Sequence, residues 1–170
     1  MDKAIVLEAG QLLSGVQLEP EASEMFTAAL TRERYRDGEA IFRQGDGADA
    51  MYLVAEGKVA IVATRQGEQV GDGGRVVLAQ LQMGSHFGEL ALVDGGTRSA
   101  DAVAQGEVEL LRLDAKQFDT LIDRFPRLAL CFLRLTSKRL RRANTQVAAK
   151  VAAAPEEVSE GEVAERFPYP

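Results

Sequence analysis

The 170-residue chain contains one cysteine, Cys131, and one histidine, His86. A single thiol forms no internal disulfide, and the simple reading is a reducing compartment. A single imidazole excludes a histidine-cluster metal site, and with it the metal-binding kind of small jelly roll. Long apolar runs are missing too. The first twenty residues carry Asp2, Lys3, Glu8 and Glu19, so they read as neither a signal peptide nor a membrane span. Positive charge is the minority sign: 20 Lys and Arg against 26 Asp and Glu give a formal net charge of −6. That balance argues against nucleic acid as the default partner. There is no serine–histidine, cysteine–histidine or metal-ligand constellation, so catalysis has no candidate residues and no metal or cofactor is expected. The remaining composition, 46% apolar and 27% charged, is that of a soluble globular chain with enough residues for one real core.

One stretch concentrates the chemistry: Phe87-Gly88-Glu89-Leu90-Ala91-Leu92-Val93-Asp94-Gly95-Gly96-Thr97-Arg98-Ser99-Ala100. An ionised Glu89 only accepts hydrogen bonds, which suits a sugar hydroxyl. Arg98 donates two parallel bonds to a phosphate, a geometry lysine does not reproduce. Gly88 lacks a Cβ and lets backbone approach a ligand closely. Residues 89–92 are expected to form one helical turn whose free N–H groups face an anion. A singly anionic ligand bearing a diol uses all of these groups at once.

The same run resembles the phosphate-binding cassette of the cyclic nucleotide-binding domain family, which includes the bacterial catabolite activator and regulatory subunits of cAMP-dependent protein kinase. The family pattern Phe-Gly-Glu-Leu-Ala-Leu, a short loop, then Arg-Ser-Ala stands here without a gap. Arg43-Gln44-Gly45-Asp46 and Met51 to Val59 resemble the family's early β-roll, so the likeness covers roughly residues 20 to 145. The resemblance implies a mainly β fold with flanking helices, a double-stranded β-helix or jelly-roll-like β-roll. It implies that Arg98 pairs with a cyclic phosphate and Glu89 with the ribose 2′-hydroxyl. Gly88, Leu90 and Ala91 would give backbone contacts and Ser99 its hydroxyl, and Ala100 is counted with them among the ligand-binding residues. The implied ligand is cAMP, with cGMP as the alternative.

Taken in order, residues 3–16 carry a loose helical pattern interrupted by Gly10. A firmer helix follows, with Pro20 in its first turn, Glu21 and Glu24 at its positive end, and Met25, Phe26, Ala29 and Leu30 as its apolar face. Residues 1–31 are therefore read as N-terminal helices. From 32 to 113 short strand-like runs alternate with glycines, the texture of a sandwich or barrel rather than a parallel sheet. Met51–Val54 and Val59–Val62 flank Glu56-Gly57, which reads as a hairpin turn. Gln66 to Arg75 is a polar, glycine-rich loop that lacks the lysine and helix start of a P-loop, and reads as a hairpin tip.

Residues 114–151 change to helical spacing. Asp114 is expected to cap a helix carrying Phe118, Leu121, Ile122 and Phe125 that stops before Pro126. A long hinge helix is expected from about Arg127 to Val151, with Leu133, Leu140 and Val147 seven apart. That seam either pairs with a second copy to give a homodimer or lies across the β-roll. Its Arg127, Arg134, Lys138, Arg139, Arg141, Arg142 and Lys150 form either a solvated face or a surface for an acidic partner. In the catabolite activator an adenine contact lies just after an Arg-Arg pair on this helix. Here Arg141-Arg142 is followed by Ala143 and then Asn144, Thr145 and Gln146, which stand near those positions without matching them cleanly. Residues 152–170 carry Glu156, Glu157, Glu160, Glu162 and Glu165 and read as an acidic flexible tail.

The expectation for the whole is a cytoplasmic cyclic nucleotide sensor, residues 1–151 forming its binding domain, that signals to an unknown protein effector. No DNA or membrane contact is expected from this chain alone. The alternatives are an interaction module that binds another ligand or none, and a transcription regulator without its DNA-reading part.

Overall fold

Two long strands, β3 (Ala50–Thr64) and β6 (Asp101–Asp114), pair antiparallel along most of their lengths and carry the rest of the sheet. The computed structural model containing them describes residues 19–64 and 74–152. The expected first helix over 3–16, nearly all of the glycine-rich loop and all but the first residue of the acidic tail expected over 152–170 lie outside the described residues. The remaining strands are β1 (Thr31–Tyr35), β2 (Ala40–Phe42), β4 (Arg75–Gln82) and β5 (His86–Phe87). All pairings are antiparallel, in the order β1-β6-β3-β4, with β2 added to β6 and β5 added to β3. This is the mainly antiparallel β-roll with flanking helices expected from the sequence.

The Glu56-Gly57 hairpin is not formed. Residues 50–64 run through as one strand, with register shifts against β6 between Val54 and Glu56 and again between Glu56 and Lys58. Gly57 has φ +84°, and a Cβ there would run into the Glu107 carbonyl. A positive-φ glycine serves a bulge as readily as a turn. Because both halves of β3 pair with β6, the chain bends at this point instead of reversing.

Inside the roll, Ala50, Tyr52, Val54, Val59, Leu81, Phe87, Ala102, Ala104, Val108 and Leu110 form one buried cluster, flanked by Tyr35, Ile41 and Phe42. The intervening positions Met51, Leu53, Leu111 and Leu113 are buried too, so these strands are covered on both faces at this end. Helices supply the outer cover. α1 (Pro20–Ala29) starts with Pro20 and Glu21 in its first turn and buries Ala22, Phe26 and Thr27. In the chain's numbering, α2 is Leu90–Asp94, α3 is Ala115–Arg124 and α4 is Arg127–Ala152. α3 buries Phe118 and Leu121, packs on β3 and β6, and meets α1, where Arg124 pairs with Glu21. Each fully buried leucine or phenylalanine contributes about 1.5–3 kcal/mol. Asp114 sits at the N-cap position of α3 as expected, yet makes no side-chain cap bond and pairs with Arg112 instead.

The chain divides into two compact units, Met1–Ala129 and Leu130–Pro170. The boundary falls inside α4, which runs 26 residues. In the second unit Leu133 and Leu140, two of the three expected seam positions, are exposed, and the Val147 side chain lies outside the described residues. Among the described residues no helix is long and apolar enough to cross a membrane.

Candidate ligand-binding site

The site begins where β5 hands Phe87 to Gly88. Phe87 stacks on Tyr52, with ring centroids 5.4 Å apart, and both rings meet Phe42, at 5.8 Å from Phe87 and 6.0 Å from Tyr52. This aromatic floor fixes the direction in which the chain leaves the sheet. Gly88 then takes φ +80°. A Cβ built there would lie 2.7 Å from Arg98 Nη1 and 3.3 Å from the Phe42 ring, so a side chain is excluded by conformation and by space together.

The expected helical turn is present as α2, with Glu89 at its N-cap and Glu89 O accepting the N–H groups of Leu92 and Val93. Helix geometry leaves the N–H groups of the first turn without intrahelical acceptors. Gly95, left-handed at φ 68°, ends α2, and the Asp94 carboxylate accepts the Gly96 N–H at 2.9 Å to shape the following turn. Leu90 is exposed and Ala91 buried, so the turn presents one residue outward and anchors the next. Ser99 is exposed, while Ala100 is buried.

Arg98 is held from both sides by the loop between β2 and β3. Its N–H donates to Asp46 O and its carbonyl accepts from Gly45 N–H, both at 2.9 Å, and Thr97 bridges to Gly47. The side chain turns inward and is 2% exposed. Nη1 donates to Gly88 O at 2.8 Å; Nη2 donates to Ala50 O at 2.7 Å and to Asp49 Oδ1 at 3.2 Å. The guanidinium lies over the Phe42 ring, 4.2 Å from its centroid. Nε is buried and makes no hydrogen bond. Leaving such a donor unsatisfied costs about 1–3 kcal/mol.

Glu89 is also 2% exposed, with Oε1 3.4 Å from His86 Nε2. The structure thus brings Gly88, Glu89, Leu90, Ala91, Arg98, Ser99 and Ala100 into one corner of the first unit. Asn144, Thr145 and Gln146 belong to the second unit. There Asn144 and Thr145 are exposed, the Gln146 side chain lies outside the described residues, and the Thr145 hydroxyl donates to the Arg141 carbonyl at 3.0 Å.

Sequence reasoning missed Phe42, Asp49, Arg112 and the Ala50 carbonyl. Asp49 bridges Arg98 and Arg112, its Oδ2 accepting from Arg112 Nη2 at 3.0 Å. Partial burial pushes the Asp49 carboxyl up, but the hydrogen bond from Arg112 and the charges of Arg112 and Arg98 outweigh it and hold the group below the usual carboxylate value. The carboxylate that follows Gly45-Asp46-Gly47 was the available signal. A separate open depression of about 740 Å³ lies around Tyr35, Arg36, Glu39, Glu56 and Glu107 and includes no cassette residue. Among the described residues no group of three His, Cys, Asp or Glu is placed to hold a metal.

The family model described as the cyclic nucleotide-binding domain matches residues 32–125, which spans the roll, this corner and α3. The cyclic AMP receptor protein of Thermus thermophilus is 40% identical over 130 residues, covering 76% of this chain and 58% of that protein. The crystal structure of Thermus thermophilus catabolite activator protein superposes with a TM-score of 0.67 at 38% identity, over 83% of this chain and 63% of the other. A co-crystal structure of the regulatory domain of Toxoplasma gondii PKA with cAMP gives 0.63 at 27% identity, over 82% and 48%. The chain therefore spans about three fifths of the Thermus proteins it matches. An unbroken Phe-Gly-Glu-Leu-Ala to Arg-Ser-Ala run, folded at the corner of a bent antiparallel roll and matched over residues 32–125, makes this chain a member of the cyclic nucleotide-binding domain family.

Proposed function

We propose that this chain is a cytoplasmic sensor of a cyclic nucleotide, cAMP in preference to cGMP, that passes the signal to a protein partner. The observation that carries the reading is the Arg98 guanidinium: buried against Gly88 and Phe42, with its Nε–H donor unused, at the foot of a helical turn. A buried cation kept with spare donor capacity is costly for stability alone and suits an anion that arrives later. Arg98 takes the cyclic phosphate and Glu89 the ribose 2′-hydroxyl. Gly88, Leu90 and Ala91 offer backbone, and Ser99 a hydroxyl at the exposed rim. The choice of cAMP follows the names of the relatives, a cyclic AMP receptor protein and a kinase domain crystallised with cAMP. Asn144, Thr145 and Gln146 remain the candidates for contact with the base, and the 127–151 helix for a homodimer seam. Binding rather than catalysis is the role, as the family description names a binding domain.

The test is a thermal-shift titration with cAMP and cGMP in parallel, after unfolding and refolding to strip nucleotide. Ligand at a hundredfold excess over Kd contributes about 2.7 kcal/mol, a rise on the order of 5–10 °C for a chain this size. Arg98→Ala should abolish the rise, since losing one partner of a desolvated charge pair costs about 2–5 kcal/mol of the about 8 kcal/mol in micromolar binding. An equal rise in parent and Arg98→Ala excludes Arg98 as the phosphate partner. No rise with either nucleotide favours the second reading, an interaction module that keeps the fold. That reading draws on the protein groups already bonded to Arg98.

A further inference from the structure

Arg98 shares its acidic partner, Asp49, with a second arginine. Asp49 Oδ1 accepts from Arg98 Nη2 at 3.2 Å and Asp49 Oδ2 from Arg112 Nη2 at 3.0 Å, so the carboxylate is divided between two guanidinium groups. Its side chain is 70% exposed, while Arg98 is buried and Arg112 is 20% exposed. Arg112 lies on β6, in register with Tyr52 of β3 and Thr31 of β1. It is surrounded by carboxylates, Glu33 at 3.6 Å and Asp114 beside Asp49, with Tyr52 as its neighbour across the strand pair. Three carboxylates, Glu33, Asp49 and Asp114, converge on this one cation. Were it neutral, they would repel one another, and Asp49 would have a single cation left to face, Arg98.

We propose that Arg112 is a positioning residue for nucleotide binding: by holding Asp49 it prevents that carboxylate from occupying the Arg98 guanidinium in place of the ligand phosphate. The proposal rests on Arg98 being the phosphate partner. An arginine locked in a close, full pairing with a carboxylate offers a phosphate little net attraction and must be released before it binds. Here the Arg98–Asp49 bond is the longest of the three made by Arg98, because the carboxylate is drawn toward Arg112. The backbone holds Asp49 in place as well: its carbonyl accepts the Ala115 N–H at 2.8 Å at the first residue of α3. Asp49 therefore has little freedom beyond the rotation of its own side chain. Arg112 decides where that rotation settles.

The experiment is a set of cAMP titrations by calorimetry on the full chain. The forms are the parent, Arg112→Gln, Arg112→Lys, Asp49→Asn and the double Arg112→Gln/Asp49→Asn, each first checked for a cooperative melt. Arg112→Gln weakens cAMP binding about tenfold, within the coupling seen for residues of one ion-pair network. Arg112→Lys, which keeps a cation at Asp49, holds affinity within about threefold of the parent, since a point charge retains most of the attraction but not the fork. Asp49→Asn binds at least as tightly as the parent, and adding Arg112→Gln to it has no further effect. A merely structural role for Arg112 predicts the same loss with Asp49 and with Asn at that position; that result overturns the proposal. So does an Asp49→Asn chain that binds about tenfold more weakly, a result that stands even where Arg112→Gln does not fold. A parent that binds neither cAMP nor cGMP overturns the site reading and this proposal with it. A parent that binds while Arg112→Gln is unchanged overturns this proposal alone.

Discussion

Gly88 and Arg98 exclude a side chain between them: a Cβ on the glycine would sit 2.7 Å from Nη1, the atom that donates to the glycine's own carbonyl at 2.8 Å. Contact this close couples the conformation of the cassette's first glycine to the position of its only arginine. Gly88→Ala is expected to cost about 1–2 kcal/mol for the positive φ alone, and more for displacing the guanidinium. The melting temperature should fall by several degrees, about 2–4 °C per kcal/mol for a chain of this length. The comparison is with Gly95→Ala, which has a similar φ of +68° and open space at the Cβ. Equal falls in melting temperature in the two variants would remove the steric part of the explanation.

Phe42 carries the Arg98 cation on its ring face and closes the aromatic floor. Phe42→Leu preserves apolar volume and removes the π face, so it should lose about 0.5–2 kcal/mol of the cation's stabilisation with little change in the fold's cooperativity. Chemical denaturation of Phe42→Leu, Arg98→Gln and the double variant measures the coupling directly. Additive losses would mean that the ring serves only as packing.

The two tyrosines among the described residues titrate late. For Tyr35, burial first, then the hydrogen bond of its hydroxyl to Glu33 at 2.6 Å and the nearby Tyr52 and Glu33, raise the phenol far above its ordinary value of 10.0. Tyr52 is raised too, by burial above all, although Arg112 beside it works in the opposite direction. The neutral phenol is thus the form the folded chain favours. Its contribution to stability is complete below pH 10 and is lost as pH rises through the folded value, because the unfolded chain gives up the proton first. Ultraviolet absorbance of the phenolate should show these two groups ionising together with alkaline unfolding. Tyr35→Phe should move that unfolding to higher pH; an unchanged alkaline midpoint would count against this assignment.

Asp49 gives the opposite dependence. Its carboxyl lies below the ordinary value of 3.8 because Arg112 and Arg98 favour its charged form over the opposing effect of burial. The stability it supplies is present above that ordinary value and is lost as pH falls through the lower, folded one. An exposed carboxylate contributes modestly, so the expected result is a shallower acid limb in Asp49→Asn than in the parent. Melting temperatures between pH 2 and pH 6, a range spanning the ordinary carboxylate values, test this. Parallel acid limbs would assign the loss to other carboxylates.

What the sequence determined by itself was local. Pro20 and the spacing to Phe26 placed α1, Phe118 and Leu121 with Pro126 placed α3, and the run from Phe87 to Ala100 identified the cassette and its one-turn helix. These features depend on periodicity, glycine and proline within a few residues of one another, and neighbours in sequence are enough to specify them. Tertiary structure decided the rest. Glu56-Gly57 is a bulge because β6 continues alongside it, which the dipeptide does not encode. Arg98 meets Asp49 and Ala50 across 49 and 48 residues, and Arg112 meets Asp49 across 63. Whether such groups touch depends on strand register, where a slip of one residue turns every side chain to the opposite face. The cassette was legible as a string, but the ion-pair network that governs its arginine exists only once β3 and β6 have paired.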